Sequence, residues 1–172
     1  MVRIRPAGPD DATGIRRVAV AAYNETYVDV VDKDGVERLL DGWYDEFDLR
    51  RRLDEGDGRW FVAVDDAANE TQAEETVGYA TADVADDGTG VLATLYVHPD
   101  RWSEGIGTRL YDHARDHVAE RGADSLRVRV FADNDVGRSF YADRADLIAE
   151  REERLEPLDS EVATAVYEAS VE

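Results

Sequence analysis

The sequence contains no cysteine, which excludes a disulfide framework, a thiolate metal site and a cysteine nucleophile. Lysine is reduced to Lys33, and the histidines are only His98, His113 and His117. No apolar run approaches the roughly 20 residues that cross a bilayer. Met1 leads straight into Val2-Arg3-Ile4-Arg5, without a signal-type stretch. The expectation is a cytoplasmic protein with no membrane partner. Positive charge is scarce altogether: 20 basic residues face 40 acidic ones, for a net charge of −20. With no basic stripe to release counterions from phosphates, nucleic acid is a poor partner. The acids are spread along the chain, a distribution that keeps a protein hydrated where salt screens charge. Such a composition resembles that of proteins from salt-accumulating microorganisms. An acidic surface would alternatively attract cationic substrates.

A chain of 172 residues suits one domain, 1–172, with a core of useful size. Arg3-Ile4-Arg5 reads as a first strand, with an aspartate cap at Asp10 or Asp11 before a helix carrying Ile15, Val18, Ala19 and Ala22. Val36, Leu39, Leu40, Trp43 and Phe47 form a second helical stripe, which Leu49 to Leu53 continue after a break. Trp60 to Val64, Thr76 to Val84 and Val91 to Val97 read as strands. The acidic, alanine-rich stretch from Asp65 to Glu75 reads as a hairpin loop. Ile106, Leu110, Ala114 and Val118 mark a further helix that stops at Gly122. Leu126, Val128 and Val130 alternate with arginines as a strand does. A short helix from Val136 to Arg144 and two strands, Leu147 to Leu155 and Glu161 to Ala169, complete the chain. The expected fold is a single α/β domain: a mixed, mostly antiparallel sheet of about seven strands flanked by about four helices.

The most informative stretch is Val97-His98-Pro99-Asp100-Arg101-Trp102-Ser103-Glu104-Gly105-Ile106-Gly107-Thr108-Arg109. An apolar strand ends at a proline turn, and a loop with two glycines runs into an amphipathic helix. A helix start of this kind presents unpaired N–H groups at the positive end of the dipole, where an anion is stabilised. Glycine lets a phosphate approach the backbone and allows positive φ. The same glycines would also serve tight strand–helix packing, so two readings stand at this point.

The element order, Leu95-Tyr96-Val97-His98-Pro99 with Gly105-Ile106-Gly107-Thr108, and Asn134 followed by Phe140-Tyr141 together resemble the GNAT superfamily of acyl-CoA-dependent N-acyltransferases. Trp102 stands where that family's motif has Gln or Arg, and Ala145-Asp146-Leu147 replaces its usual Gly-Phe ending. The resemblance implies acetyl-CoA as co-substrate, with no metal. The backbone of Trp102, Ser103, Glu104, Gly105, Ile106, Gly107 and Thr108 would cradle the pyrophosphate. Leu95, Tyr96 and Val97 would border the pantetheine arm, Leu95 and Val97 bonding it through their main chains, with two central strands splayed at a bulge near Leu95–Tyr96. Asn134 would contact the arm from the opposite strand. Tyr141 would be the general acid, its phenol neutral at pH 7 and able to protonate the departing thiolate. The acceptor would be a primary amine of a small molecule or a protein N-terminus, attacked directly in a ternary complex. Members occur as monomers and dimers, so a homodimer is possible.

The base is the open position. Val91 or Leu92 occupies the stretch where several members carry a glutamate, leaving Glu25, Tyr27 or a water as alternatives. Tyr23, Tyr27, Trp43 and Tyr44 are either core or lining of the acceptor pocket. His113 and His117 lie four apart on one helix, but no third ligand accompanies them. His98 reads as a turn residue. Ser103 and Ser139 lack the partners of a nucleophilic triad. Without turnover, the same features would describe an acyl-CoA-binding sensor or interaction module. A nucleotide-phosphate enzyme is disfavoured, because the loop lacks Gly-Lys-Ser/Thr.

Overall fold

The computed structural model describes residues 1–55, 59–66 and 74–171. Its strands are β1 (Val2–Pro6), β2 (Trp60–Asp65), β3 (Glu75–Val84), β4 (Gly90–Val97), β5 (Ser125–Phe131), β6 (Asp146–Leu155) and β7 (Ser160–Ser170). They form one 7-stranded sheet in the order β1-β2-β3-β4-β5-β7-β6. All neighbours are antiparallel except β4 and β5. A parallel pair needs a crossover, and α3 (Ile106–Glu120) supplies it. Helices α1 (Ala12–Trp43) and α2 (Glu46–Asp54) cover one face, and α3 covers the other. The short α4 (Asp135–Ala142) follows β5. The mixed sheet flanked by helices that the element order predicts is the observed architecture. Most of the stretch expected as a hairpin loop, residues 67–73, lies outside the described residues. Among the described residues no helix is long and apolar enough to cross a membrane.

The two faces explain the sequence patterns. In β2, Val62 and Val64 face α1 and α2, whereas Ala63 faces α3. Both sides are covered, so β3 reads as an apolar run rather than an alternation. On α3, Leu110, Ala114 and Val118 are fully buried, each of the larger two contributing about 1.5–3 kcal/mol of transfer free energy. The two helical stripes expected before residue 45 belong to one element with a break. Asp32 adopts φ 59 and ψ 178 inside α1, and its Oδ1 accepts the Gly35 N–H at 2.8 Å, capping the second segment. Phe47 departs from the predicted stripe: it is 76% exposed, because Asp45 caps a new helix there and re-phases the apolar face onto Leu49 and Leu53. Asp11 occupies the cap position before α1, one of the two expected, but its side chain makes no bond to the helix. The Asp11 carboxylate instead takes both Arg5 amino groups, each at 2.8 Å, and the Gly8 N–H.

What positions the site is the brevity of the β4–β5 ladder. It pairs Gly90 with Leu126, Val91 with Arg127 and Leu92 with Val128, and then stops. At the same point β4 carries an extra residue: Thr81 faces Thr94 and Ala82 faces Leu92, leaving Ala93 unpaired. The bulge is therefore at Ala93 rather than near Leu95–Tyr96, where β4 keeps regular register with Ala80 and Tyr79. Gly90 sets how closely the two strands begin. A Cβ there would lie 2.7 Å from the Ser125 carbonyl oxygen and 2.7 Å from a Val118 methyl. Gly90→Ala is expected to lower stability by roughly 1–3 kcal/mol, the usual cost of overpacking. Denaturant unfolding measures this, and an unchanged midpoint would show that the strands can part here without cost.

Candidate active site

Beyond Leu92, β4 and β5 diverge, and a cavity of about 790 Å³ opens between them. At one end lies the loop that joins β4 to α3. Trp102 closes the turn from Pro99, its N–H donating to the Pro99 carbonyl at 3.2 Å. Its indole Nε1 donates to the Val97 carbonyl at 2.9 Å. The Trp102 amide is thus already engaged, and free donors begin only at Ser103. Ser103 (φ 68) and Gly105 (φ 82) both take the left-handed conformation that swings the chain into α3. No side chain caps this helix, and the Gly105 carbonyl accepts from Arg109 at 3.2 Å. The amides of Ile106, Gly107 and Thr108 precede that bond and have no intrahelical acceptor. The Glu104 carboxylate is held by Arg101 at 3.0 Å, which is itself paired with Asp65, so an acid in the loop is neutralised sideways. A Cβ on Gly107 would come within 3.3 Å of the Phe140 ring, so this glycine also serves packing.

The walls of the slot follow from strand geometry. The His98 backbone N–H donates to the Val77 carbonyl at 2.8 Å, so the Tyr96 main chain is bonded to β3 and, unlike the expectation for it, is not open to an arm, whereas those of Leu95 and Val97 turn into the gap. The Val97 carbonyl is occupied by Trp102, leaving its N–H and both groups of Leu95 on the open edge. Asn134 does not lie on the strand opposite. It sits in the turn after β5 and caps α4, its Oδ1 accepting from Gly137 at 2.9 Å. Its Nδ2 donates to the Tyr27 hydroxyl at 3.3 Å. Tyr141 is 5% exposed on α4, packed by Phe140, Tyr111 and Tyr167, and lines the cavity. Burial, and then the neighbouring Tyr27 and Tyr111, push its pKa well above the usual phenol value, so it stays protonated at neutral pH.

Arg144, absent from the sequence-based site, also borders the slot. It stacks 3.8 Å over Phe140 and donates to the Thr108 Oγ1 at 2.6 Å. Helical i, i+4 spacing from Phe140 was the signal that could have found it. Arg38, Arg52, Arg109 and Arg144 have no carboxylate partner among the described residues. Two of these, Arg52 and Arg144, line the cavity.

The cavity continues through the sheet to the α1–α2 face, bounded by Tyr23, Tyr27, Trp43, Tyr44 and Trp60. Tyr23, Tyr27 and Tyr44 are both core and lining. Tyr27 and Tyr96 share a hydroxyl–hydroxyl bond of 2.7 Å. Burial raises the pKa of Tyr27 well above the ordinary value and that of Tyr44 to about 12, so neither supplies a phenolate base near neutrality. Glu25 is exposed and does not border the cavity. His113 and His117 pack edge-on against Phe61, with ring centroids 4.6 and 4.9 Å away. Burial lowers the His117 pKa, first among its causes. His98 is a turn residue, its Nδ1 accepting from Asp100 at 3.2 Å. Among the described residues no group of three or more His, Asp or Glu could hold a metal ion.

Known proteins supply an independent comparison. The chain resembles PaiA N-acetyltransferase from Thermoplasma acidophilum, solved in complex with coenzyme A: TM-score 0.75, 19% identity, 96% of this chain and 98% of that one. It also resembles the ribosomal-protein-S18-alanine N-acetyltransferase from Escherichia coli, with TM-score 0.68, 17% identity and coverage of 99% and 94%. Ard1 from Thermoplasma volcanium gives TM-score 0.69 at 19% identity, with coverage of 99% and 98%. No curated protein matches. At these identities the likeness shows the fold, and membership comes from the sequence itself: residues 16–145 match the model of the acetyltransferase (GNAT) family, to which this chain belongs.

Proposed function

We propose that this protein is a cytoplasmic N-acetyltransferase that moves an acetyl group from acetyl-CoA to a primary amine of a small molecule or a protein N-terminus, by direct attack in a ternary complex. The observation that carries the reading is the continuous cavity, which runs from the uncapped start of α3 through the parted strands to an aromatic pocket on the other face. Two substrates can therefore meet from opposite sides of the sheet. The family's activity and the coenzyme A bound in the Thermoplasma acidophilum structure support acetyl-CoA as the donor.

The residues present fit that donor. Amides from Ser103 to Thr108 converge where a pyrophosphate would sit, and Gly105 leaves the approach free of a side chain. Arg144 adds a charge with no carboxylate to satisfy it. The open edge of Leu95 and Val97 offers strand-like bonds to an extended amide arm, and Asn134 borders the same slot. Trp102 acts by holding the loop against β4 rather than through its own amide.

In the chemical step the neutral amine attacks the thioester carbonyl carbon, so a C–N bond forms as the C–S bond breaks. The sulfur leaves with the bonding electrons and takes a proton from Tyr141, while the amine's proton passes to water and through it restores Tyr141. Burial keeps Tyr141 protonated until the step and makes it a weaker acid, and the same desolvation raises the proton affinity of the thiolate, which offsets that loss. Holding both reactants in one slot supplies a further share of the rate. The acidic surface fits function in a salt-rich cytoplasm.

Three measurements test this reading. Calorimetric titration of acetyl-CoA at molar KCl should give micromolar binding; no binding by folded protein would remove the donor site. Arg144→Gln should weaken that binding by about tenfold or more, the usual value of a charge-assisted bond; equal affinity would place the phosphates elsewhere. Tyr141→Phe should lower kcat by roughly 10²-fold while the acetyl-CoA affinity holds. Unchanged turnover would remove Tyr141 from the mechanism. Donor binding without turnover on any amine would favour a sensor module instead.

A further inference from the structure

We propose that the acceptor is an amine whose far end carries a carboxylate, and that Arg52 binds it. The proposal rests on the acetyltransferase reading and narrows its acceptor.

Arg50, Arg51 and Arg52 are consecutive on α2, yet they have different surroundings. Arg50 pairs with Glu46, and Arg51 pairs with Asp48 and Glu55, all on the outer surface. Arg52 turns inward to line the cavity and has no carboxylate partner among the described residues. In a chain with 40 acidic residues against 20 basic ones, an unneutralised guanidinium in a pocket is an exception to the prevailing balance. Its orientation is fixed. One amino group donates to the Trp43 carbonyl at 2.6 Å, and the guanidinium carbon lies 5.6 Å from the centroid of the Trp60 ring. No acceptor among the described residues takes the hydrogens on Nη1 or Nε or the second hydrogen on Nη2, so one edge, Nη2 with Nη1 or with Nε, stays open. The other ionic groups lining this side, Arg129 and Glu153, are paired at 3.2 Å, and Arg151 shares the same carboxylate at 3.7 Å.

A guanidinium with a free edge matches a planar carboxylate through two parallel bonds. A phosphate dianion would meet a single positive group inside a molecule of net charge −20, so the carboxylate is the better fit. The sheet sets the scale. Trp60 faces Thr81, and Thr81 faces Thr94 at the mouth of the slot, so Arg52 stands over a residue two strands away. Two strand spacings come to about 10 Å. The amine and the carboxylate are therefore separated by several bonds, with Trp43, Tyr44 and Trp60 flanking an apolar or aromatic body between them.

The test compares para-(aminomethyl)benzoate with its carboxamide and its phosphonate, using wild type, Arg52→Gln and Arg52→Lys. Calorimetry on the protein with and without coenzyme A gives affinities whether or not donor binding or turnover occurs, and release of coenzyme A from acetyl-CoA gives KM and kcat. The expected result is a preference of about tenfold or more for the carboxylate over the carboxamide in wild type. That preference should vanish in Arg52→Gln through the carboxylate's KM and return in part in Arg52→Lys. Equal binding of carboxylate and carboxamide to wild type, or equal losses for both in Arg52→Gln, would overturn the proposal. Preference for the phosphonate would overturn the carboxylate assignment. Acetyl-CoA titration of the same samples reads the donor site separately, so failure there would remove the acetyltransferase reading while the Arg52 affinities are still measured.

Discussion

The cavity of this molecule depends on a hydrogen-bonded ladder that ends early. β4 and β5 are central strands, and a central pair would ordinarily bond along its whole length. Here the pairing covers only three residue pairs, from Gly90–Leu126 to Leu92–Val128. The freed main-chain groups of Leu95 and Val97 would be costly if sealed in an apolar interior. They instead border a cavity that solvent or an extended ligand can enter. The outer strands keep the gap from collapsing: β3 grips β4 up to Val97, and β7 grips β5 up to Phe131. The bulge at Ala93 marks where one constraint yields to the other.

The charge distribution is organised around the same gap. Most of the scarce arginines are paired with acids on the surface, in contacts such as Arg127–Glu168 and Arg129–Glu153. Individually, pairs of this exposure contribute little to stability. Collectively they account for most of the positive charge the chain has, which makes the positions of Arg52 and Arg144 informative. The cavity between them is walled by neutral aromatic groups, whose protons burial holds in place.

Much of this was legible in the sequence, for identifiable reasons. Strands with two covered faces or a clean period of two announced themselves, as at Leu126, Val128 and Val130. The loop at Gly105 and Gly107 was legible because left-handed backbone and close approach both demand small residues. Gly105 shapes the turn and Gly107 admits Phe140, so tight packing is one part of what these glycines do. Side chains acting through tertiary contacts were not legible. Nothing in the local pattern says that Trp102 reaches back to Val97, or that Asn134 sits beyond the strand and spans to α1. Phe47 misled because a single cap at Asp45 re-phases the helix, and periodicity cannot see a cap that interrupts it. Arg52 was hidden among three consecutive arginines whose distinct surroundings only the fold reveals.

Asn134 has one amide and two obligations. Its oxygen starts α4, on which Tyr141 rides, and its nitrogen holds Tyr27 of α1, which in turn meets Tyr96 of β4. The two halves of the molecule are therefore not interchangeable parts. Grafting the first helix of a relative to alter acceptor choice would strip this amide of its partner unless a hydroxyl were restored at position 27. Any redesign of one side of the sheet has to carry that tyrosine with it.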